Sequence, residues 1–164
     1  MIKLALVIFV VAMPFALLGD EATVRVEPSN LQRSRPLQKQ TETEAIRDYL
    51  QSWQSLRAAL EQNRPDLLDQ SFVGTALDKL TDTMHQQEAA GIQVRYLDRA
   101  HELQIVSYSL EGLSIQLIDN VEYDQQVIDH DKVLTNRRVR ARYVVVMTPA
   151  EVRWRVRVFQ ADTE

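Results

Sequence analysis

Residues 137–159 read RRVRARYVVVMTPAEVRWRVRVF, and the alternation in this stretch decides the fold class. In its first half the odd positions Val139, Ala141, Tyr143, Val145 and Met147 are mainly apolar, while Arg138, Arg140 and Arg142 are even. In its second half the even positions Val152, Trp154, Val156 and Val158 are apolar, and Arg153, Arg155 and Arg157 are odd. A period of two marks a strand with one buried face. A hairpin around Pro149 that pairs odd with even positions brings both apolar sets to one face and all six arginines to the other. Six like charges on one face repel. The preceding segment supplies Glu122 and Asp124 on the parity opposite Val121 and Tyr123, so both are expected beside Arg138 and Arg140. A solvated face laced with cross-strand ion pairs is the plain reading. The functional one is a docking surface for an acidic protein partner, formed by Arg138, Arg140, Arg142, Arg153, Arg155 and Arg157.

The same alternation extends back to Gly91. Ile92, Val94 and Tyr96 suggest a short strand, followed by ELQIVSYS, LSIQLIDNVEYDQQVI and KVLTNRRVRARYVVVM, with turns at EG, DHD and TPA. Before Gly91 the period is helical. Ile46, Tyr49, Leu50, Trp53, Leu56 and Leu60 recur at three and four from about Thr41, where TETE offers an N-cap, to the stop before Pro65. PDLLDQSF reads as a short second helix, and Ala76, Leu77, Leu80 and Met84 define a third that ends at Gly91. Helices followed by a strand meander predict an α+β fold, with N-terminal helices packed on a strongly bent antiparallel sheet.

The N-terminus, MIKLALVIFVVAMPFALLGD, has one lysine and an apolar run from Leu4 to Leu18 before Gly19. That matches an export signal and is short for a membrane span, which needs about 20 residues. Residues 1–19 are therefore expected to be a signal peptide or an anchor. Either places the rest outside the cytoplasm, periplasmic or secreted, with membrane contact only through residues 4–18 if the leader is retained. Residues 20–40 mix charges, Pro, Ser and Gln without an apolar period and read as a flexible linker, leaving 41–164 as the folded domain.

Composition narrows the function classes. A formal net charge of −4 opposes nucleic-acid binding, which is not expected here. The absence of cysteine excludes disulfides, thiolate metal sites and a cysteine nucleophile. His85, His101 and His130 lack ligand spacing, so no metal site and no cofactor is expected.

Trp53 in the first helix, Tyr143, and the closing Arg153-Trp154-Arg155-Val156 strand resemble the nuclear transport factor 2-like (SnoaL-like) superfamily of cone-shaped α+β domains over about residues 41–160. Within it, grouping the helices before the sheet is most similar to tethered or exported interaction domains, such as the intermembrane-space domain of plastid-division proteins and the periplasmic domain of type IV secretion core proteins. The resemblance implies an exported, non-catalytic domain that binds a protein partner through its sheet face or cone mouth, with homo-oligomerisation through the open face as a further expectation.

It also implies an alternative, because ketosteroid isomerases and scytalone dehydratases place acid/base groups inside the cone. In LSIQLIDNVEY, Asp119 shares parity with Leu113, Ile115, Leu117, Val121 and Tyr123. An inward Asp119 would act as base, with Tyr123 or Tyr143 as donor and Trp154 as apolar wall. Asp119, Tyr123, Arg137, Tyr143 and Trp154 would then line a site for a small apolar ligand. The competing expectation, favoured here, is a β-bulge at IDN that turns Asp119 outward.

Overall fold

The computed structural model describes residues 21–31 and 35–162; the leader or anchor read at 1–19 lies outside the described residues. Among the described residues, two helices and one 3₁₀ turn lie against a five-stranded sheet of order β1-β2-β3-β4-β5. The elements are β1 (Thr23–Val26), α1 (Lys39–Gln62), the 3₁₀ turn (Pro65–Leu68), α2 (Gly74–Ala89), β2 (Gln93–Tyr108), β3 (Ile115–Asp129), β4 (Lys132–Pro149) and β5 (Trp154–Ala161). The α+β class stands as expected from the sequence. No helix among the described residues is long and apolar enough to cross a membrane.

α1 forms where the three-four stripe predicts it. Tyr49, Trp53, Leu56 and Leu60 are buried, joined by Ala45 and Ala59, while Ile46 and Leu50 pack at the margin. It begins two residues before Thr41, with Gln38 at the N-cap position and no side-chain cap bond. Asn63 ends it at φ 50°, a left-handed conformation that asparagine tolerates, and Asn63 Nδ2 donates to the Ile92 carbonyl at 2.7 Å. Asp48, on the buried face, accepts the Trp154 N–H at 2.8 Å and so fixes the start of β5 to α1.

Three departures from the sequence reading have physical causes. The described part of the segment expected as a flexible linker is tied along the edge of β2. β1 pairs in parallel with Ala100–Leu103, so the sheet is mixed rather than wholly antiparallel. Past β1, Glu27 N–H donates to Leu103 O at 2.7 Å, Asn30 N–H to Ile105 O at 3.0 Å, and Arg35 N–H to Tyr108 O at 3.2 Å. A four-residue alternation inside a polar stretch is too short to read as a strand.

Secondly, the two short strands expected after Gly91 are one strand, β2, whose register shifts between Asp98 and Ala100. A bulge at Arg99 absorbs the break in alternation and bends the sheet. Thirdly, β5 changes parity partway. Met147 pairs with Val156, but Val146 pairs with Val158, leaving Arg157 as an extra residue. Beyond it Phe159, not Val158, packs on the core, and Val152 lies in the turn, 82% exposed. Leu113, expected inward, is likewise exposed in the β2–β3 turn.

Candidate functional site

β3 runs without a bulge through Ile118, Asp119 and Asn120, with Asp119 opposite Leu103 on one side and Tyr143 on the other. The favoured expectation that a bulge turns Asp119 outward is overturned; the sheet takes its bends elsewhere, at the register shifts near Arg99, Val106, Leu134 and Arg157. Asp119 is 0% exposed. The Tyr49 hydroxyl donates to its Oδ2 at 2.6 Å, and His101 Nδ1 meets the same oxygen at 2.8 Å. Tyr49 and His101 are themselves 1% and 3% exposed. Burial, and then the Asp119 charge, push the Tyr49 hydroxyl well above its ordinary range, so it stays a donor. Asp119 Oδ1 is buried without a partner among the described residues.

One turn along α1 from Tyr49, Trp53 stands in the interior of the cone. Its ring centroid lies 5.0 Å from His101, 5.8 Å from Tyr123, 5.9 Å from Tyr143 and 6.1 Å from both Tyr96 and Phe159. Tyr143 stacks on Phe159 at 4.4 Å, and the Tyr123 and Tyr143 hydroxyls are 3.3 Å apart. Edge-to-face and offset pairs of this kind add to simple area burial. Asp119, Tyr123 and Tyr143 are thus brought together as the enzyme reading required, but among packed rings.

Burial pushes up the hydroxyls of Tyr123 and Tyr143, and takes that of Tyr96 to about 12. The folded state therefore holds these protons more tightly than the unfolded chain. Their contribution to stability is complete below the unfolded value near 10 and falls as pH rises above it. Urea midpoints measured from pH 8 to 11.5 are expected to fall only above about pH 10. A flat profile there would mean that these hydroxyls ionise freely in the fold.

Two residues assigned to the interior site lie elsewhere. Trp154 packs at the other end of the core, 6.5 Å from Tyr108, and is no wall for Asp119. Arg137 shares the inward parity of Tyr123 and Val139 but sits exposed at the rim, donating to Gln125 Oε1 at 2.8 Å. In the opposite direction, His101 and Tyr49 were missed as polar partners of Asp119. His101 shares the parity of Leu103 and Ile105, and that was the available signal.

The six-arginine face is corrected as well. Arg138 reaches Glu122 and Asp124, both at 3.4 Å, Arg140 reaches Glu122 at 3.1 Å, and Arg142 pairs with Asp162. Asp124 also accepts from Arg99, whose hydrogen bonds hold its carboxyl below the ordinary range. The β4–β5 register, which sets Pro149 opposite Trp154 and Tyr143 opposite Ala161, brings Arg142 beside Asp162 rather than beside an arginine of β5. Arg155 instead donates to the Asp69 and Phe72 carbonyls ahead of α2, and the Arg157 carbonyl accepts the Thr75 hydroxyl at 3.1 Å. The carbonyl of Arg153 accepts the Ala150 N–H in the β4–β5 turn at 2.8 Å.

Among the described residues, the sheet is flanked by clefts on two sides. The outer face of the sheet carries a groove of about 700 Å³ whose walls follow the cross-strand rows Arg25–Glu102–Asn120–Arg142 and Thr23–Ala100–Glu122–Arg140. On the other side of the sheet edge, a cleft of about 690 Å³ runs between α1 and the β1–β2 edge, reaching Trp53 and His101. Neither cleft is lined by Asp119, Tyr123 or Tyr143.

With the geometry in hand, comparison with solved structures is informative. The intermembrane-space region of the chloroplast protein ARC6 superposes with a TM-score of 0.61 at 12% identity, over 79% of this chain and 100% of that one. A candidate scytalone dehydratase from Novosphingobium aromaticivorans superposes with a TM-score of 0.51 at 11% identity, over 77% of this chain and 89% of that one. This is a cone-type α+β fold. At such identities the likeness extends to the fold alone. No family model matches the sequence, and neither does any curated protein.

Proposed function

We propose that this chain is an exported or membrane-tethered, non-catalytic domain that binds a protein partner through the outer face of its sheet. The observation that carries the reading is the outer face, which no helix among the described residues covers. Both helices pack on the inner side, and the groove outside is lined by charges of both signs on rigid strands. Mixed charges set register and exclude wrong partners more than they add raw affinity. A groove of this kind suits a polar segment of another protein presenting the complementary mosaic, rather than a uniformly acidic one, because Arg138, Arg140 and Arg142 are already paired.

The interior supports the same reading. An acid/base group must reach its substrate, whereas Asp119 is enclosed by Tyr49, His101 and the rings around Trp53. We read that carboxylate as a fastener of the fold. Export rests on the apolar leader of residues 4–18.

The test is photo-crosslinking in the native host from a benzophenone side chain at Asn120, exposed in the groove, with Gln86 on the exposed side of α2 as control. A protein adduct is expected from Asn120 alone, and it is expected to disappear when Arg140 and Arg142 become Glu. An adduct of twice the chain mass would identify the occupant as a second copy. Absence of any adduct, or one indifferent to the charge reversals, would remove the outer face from consideration.

A further inference from the structure

β5 is shorter than the strand it borders. It covers β4 from Tyr143 to Pro149, and the Asp162 N–H extends the pairing by one bond, to the Arg142 carbonyl at 2.7 Å. Ahead of that point, from Lys132 to Ala141, β4 is bonded to β3 on one side, and no strand among the described residues borders it on the other. Lys132 to Arg138 are exposed without a break. The Arg142 bond also fixes which groups face the open side. Successive residues of an antiparallel strand turn their amide and carbonyl to alternate neighbours. Arg142 turns away from β3, and the register runs unbroken from Asn136 to Tyr143, so Arg140, Arg138 and Asn136 present their backbone donors and acceptors along a free edge.

The charge of this edge selects what can pair with it. Lys132–Ala141 holds four cations, Lys132, Arg137, Arg138 and Arg140, and no acid. Arg138 and Arg140 share Glu122 on β3, and Arg137 donates to the neutral amide oxygen of Gln125. The stretch therefore stays cationic. Charged side chains on an edge guard it against pairing with its own kind. A second copy would set four cations against four with no acid in either strand, which is unfavourable across a sheet. A strand of opposite charge meets no such barrier. On the inner side Val139 and Ala141, both half-buried, offer apolar contact to alternate side chains of an added strand.

We propose that the free edge of β4, centred on Asn136–Arg140, accepts an extended acidic segment of a partner protein as a further antiparallel or parallel strand. Main-chain bonds to Asn136, Arg138 and Arg140 supply the affinity, and the arginines supply the selection for acid. The site is the edge of the sheet and does not rest on the outer-face groove.

The probe is a fluorescein-labelled peptide of alternating glutamate and valine, long enough to span Lys132–Ala141, titrated with the protein at low salt and followed by fluorescence anisotropy. It is expected to bind saturably, and its lysine–valine counterpart is not. Methylating the backbone nitrogens of one alternate set of its residues should weaken binding at least about tenfold, and methylating the other set should change it little, because only one set faces β4. Asn136→Pro is expected to abolish binding. The Asn136 N–H faces away from β3, so the proline removes an edge donor and no bond of the sheet; an unchanged far-UV circular dichroism spectrum checks the fold. Should that variant fail to fold, the methylated peptides carry the test on the parent protein. Equal effects of the two methylated sets, or binding that survives in folded Asn136→Pro, would overturn the proposal. So would no saturable binding of the acidic peptide, or equal binding of the lysine one. Binding lost in Asn120→Trp but kept in Asn136→Pro would move the peptide to the outer groove and overturn the edge site, whereas failure of the crosslink from Asn120 leaves the edge site untouched.

Discussion

Asp119→Ala lowers the unfolding free energy by about 3–5 kcal/mol, the size expected when one member of a buried, hydrogen-bonded polar set is removed. The truncation leaves the Tyr49 hydroxyl and His101 Nδ1 without their shared acceptor, inside a shell where neither meets water. Asp119→Asn keeps an acceptor oxygen in place and should cost only about 1–2 kcal/mol. Urea unfolding of the three proteins measures both, and the melting temperature of the Ala variant should drop by roughly 10 °C for a chain of this size. The sign matters as much as the size. A carboxylate kept for chemistry is commonly held against the fold's interest, and removing it often stabilises the protein. A more stable Asp119→Ala variant would therefore reverse the assignment of this residue as a fastener and return the enzyme reading to first place.

Trp53→Ala is expected to cost a similar amount, about 3–5 kcal/mol, for a different reason. The indole lies against five other aromatic rings across the interior, and its loss leaves a void that the sheet beneath α1 is too rigid to fill. The void should be apolar on most of its surface and should accept a free indole, as engineered apolar cavities accept aromatic molecules. Thermal melts of Trp53→Ala with and without indole check this: added indole should restore part of the lost stability and leave the parent chain unaffected. If indole restores nothing, the interior has collapsed onto the vacated space, and the cone is more plastic than its stacked rings suggest.

The period-two and period-3.6 patterns carried most of the fold. Tyr49, Trp53, Leu56 and Leu60 on α1, and Ile115, Leu117, Val121 and Tyr123 on β3, are buried where their spacing puts them. What the pattern could not carry was the position of single extra residues. Nothing in VRWRVRVF marks Arg157 as the bulged one, since either parity leaves an apolar residue to bury; only the opposing Val146 and Met147 decide it. The same ambiguity cost the reading of Asp119, where an inward strand and a bulge fit the letters equally well. His101 escaped notice for another reason. It lies 18 residues before Asp119, and the other partner of that carboxylate, Tyr49, lies 70 residues before it, so no local motif records the meeting. The Glu122 and Asp124 pairing with β4 was legible because neighbouring strands in a meander keep their order.

The N-terminal segment has a consequence for handling the protein. A fragment begun at Thr41, where the helical pattern starts, would lack β1 and the contacts from Glu27 to Arg35, and would leave the long β2 with bare amide and carbonyl groups along one side. Such an edge is a template for intermolecular strand addition. Aggregation of a shortened preparation would then reflect the cut rather than the sequence of the domain, and the practical boundary for recombinant work lies ahead of Thr23.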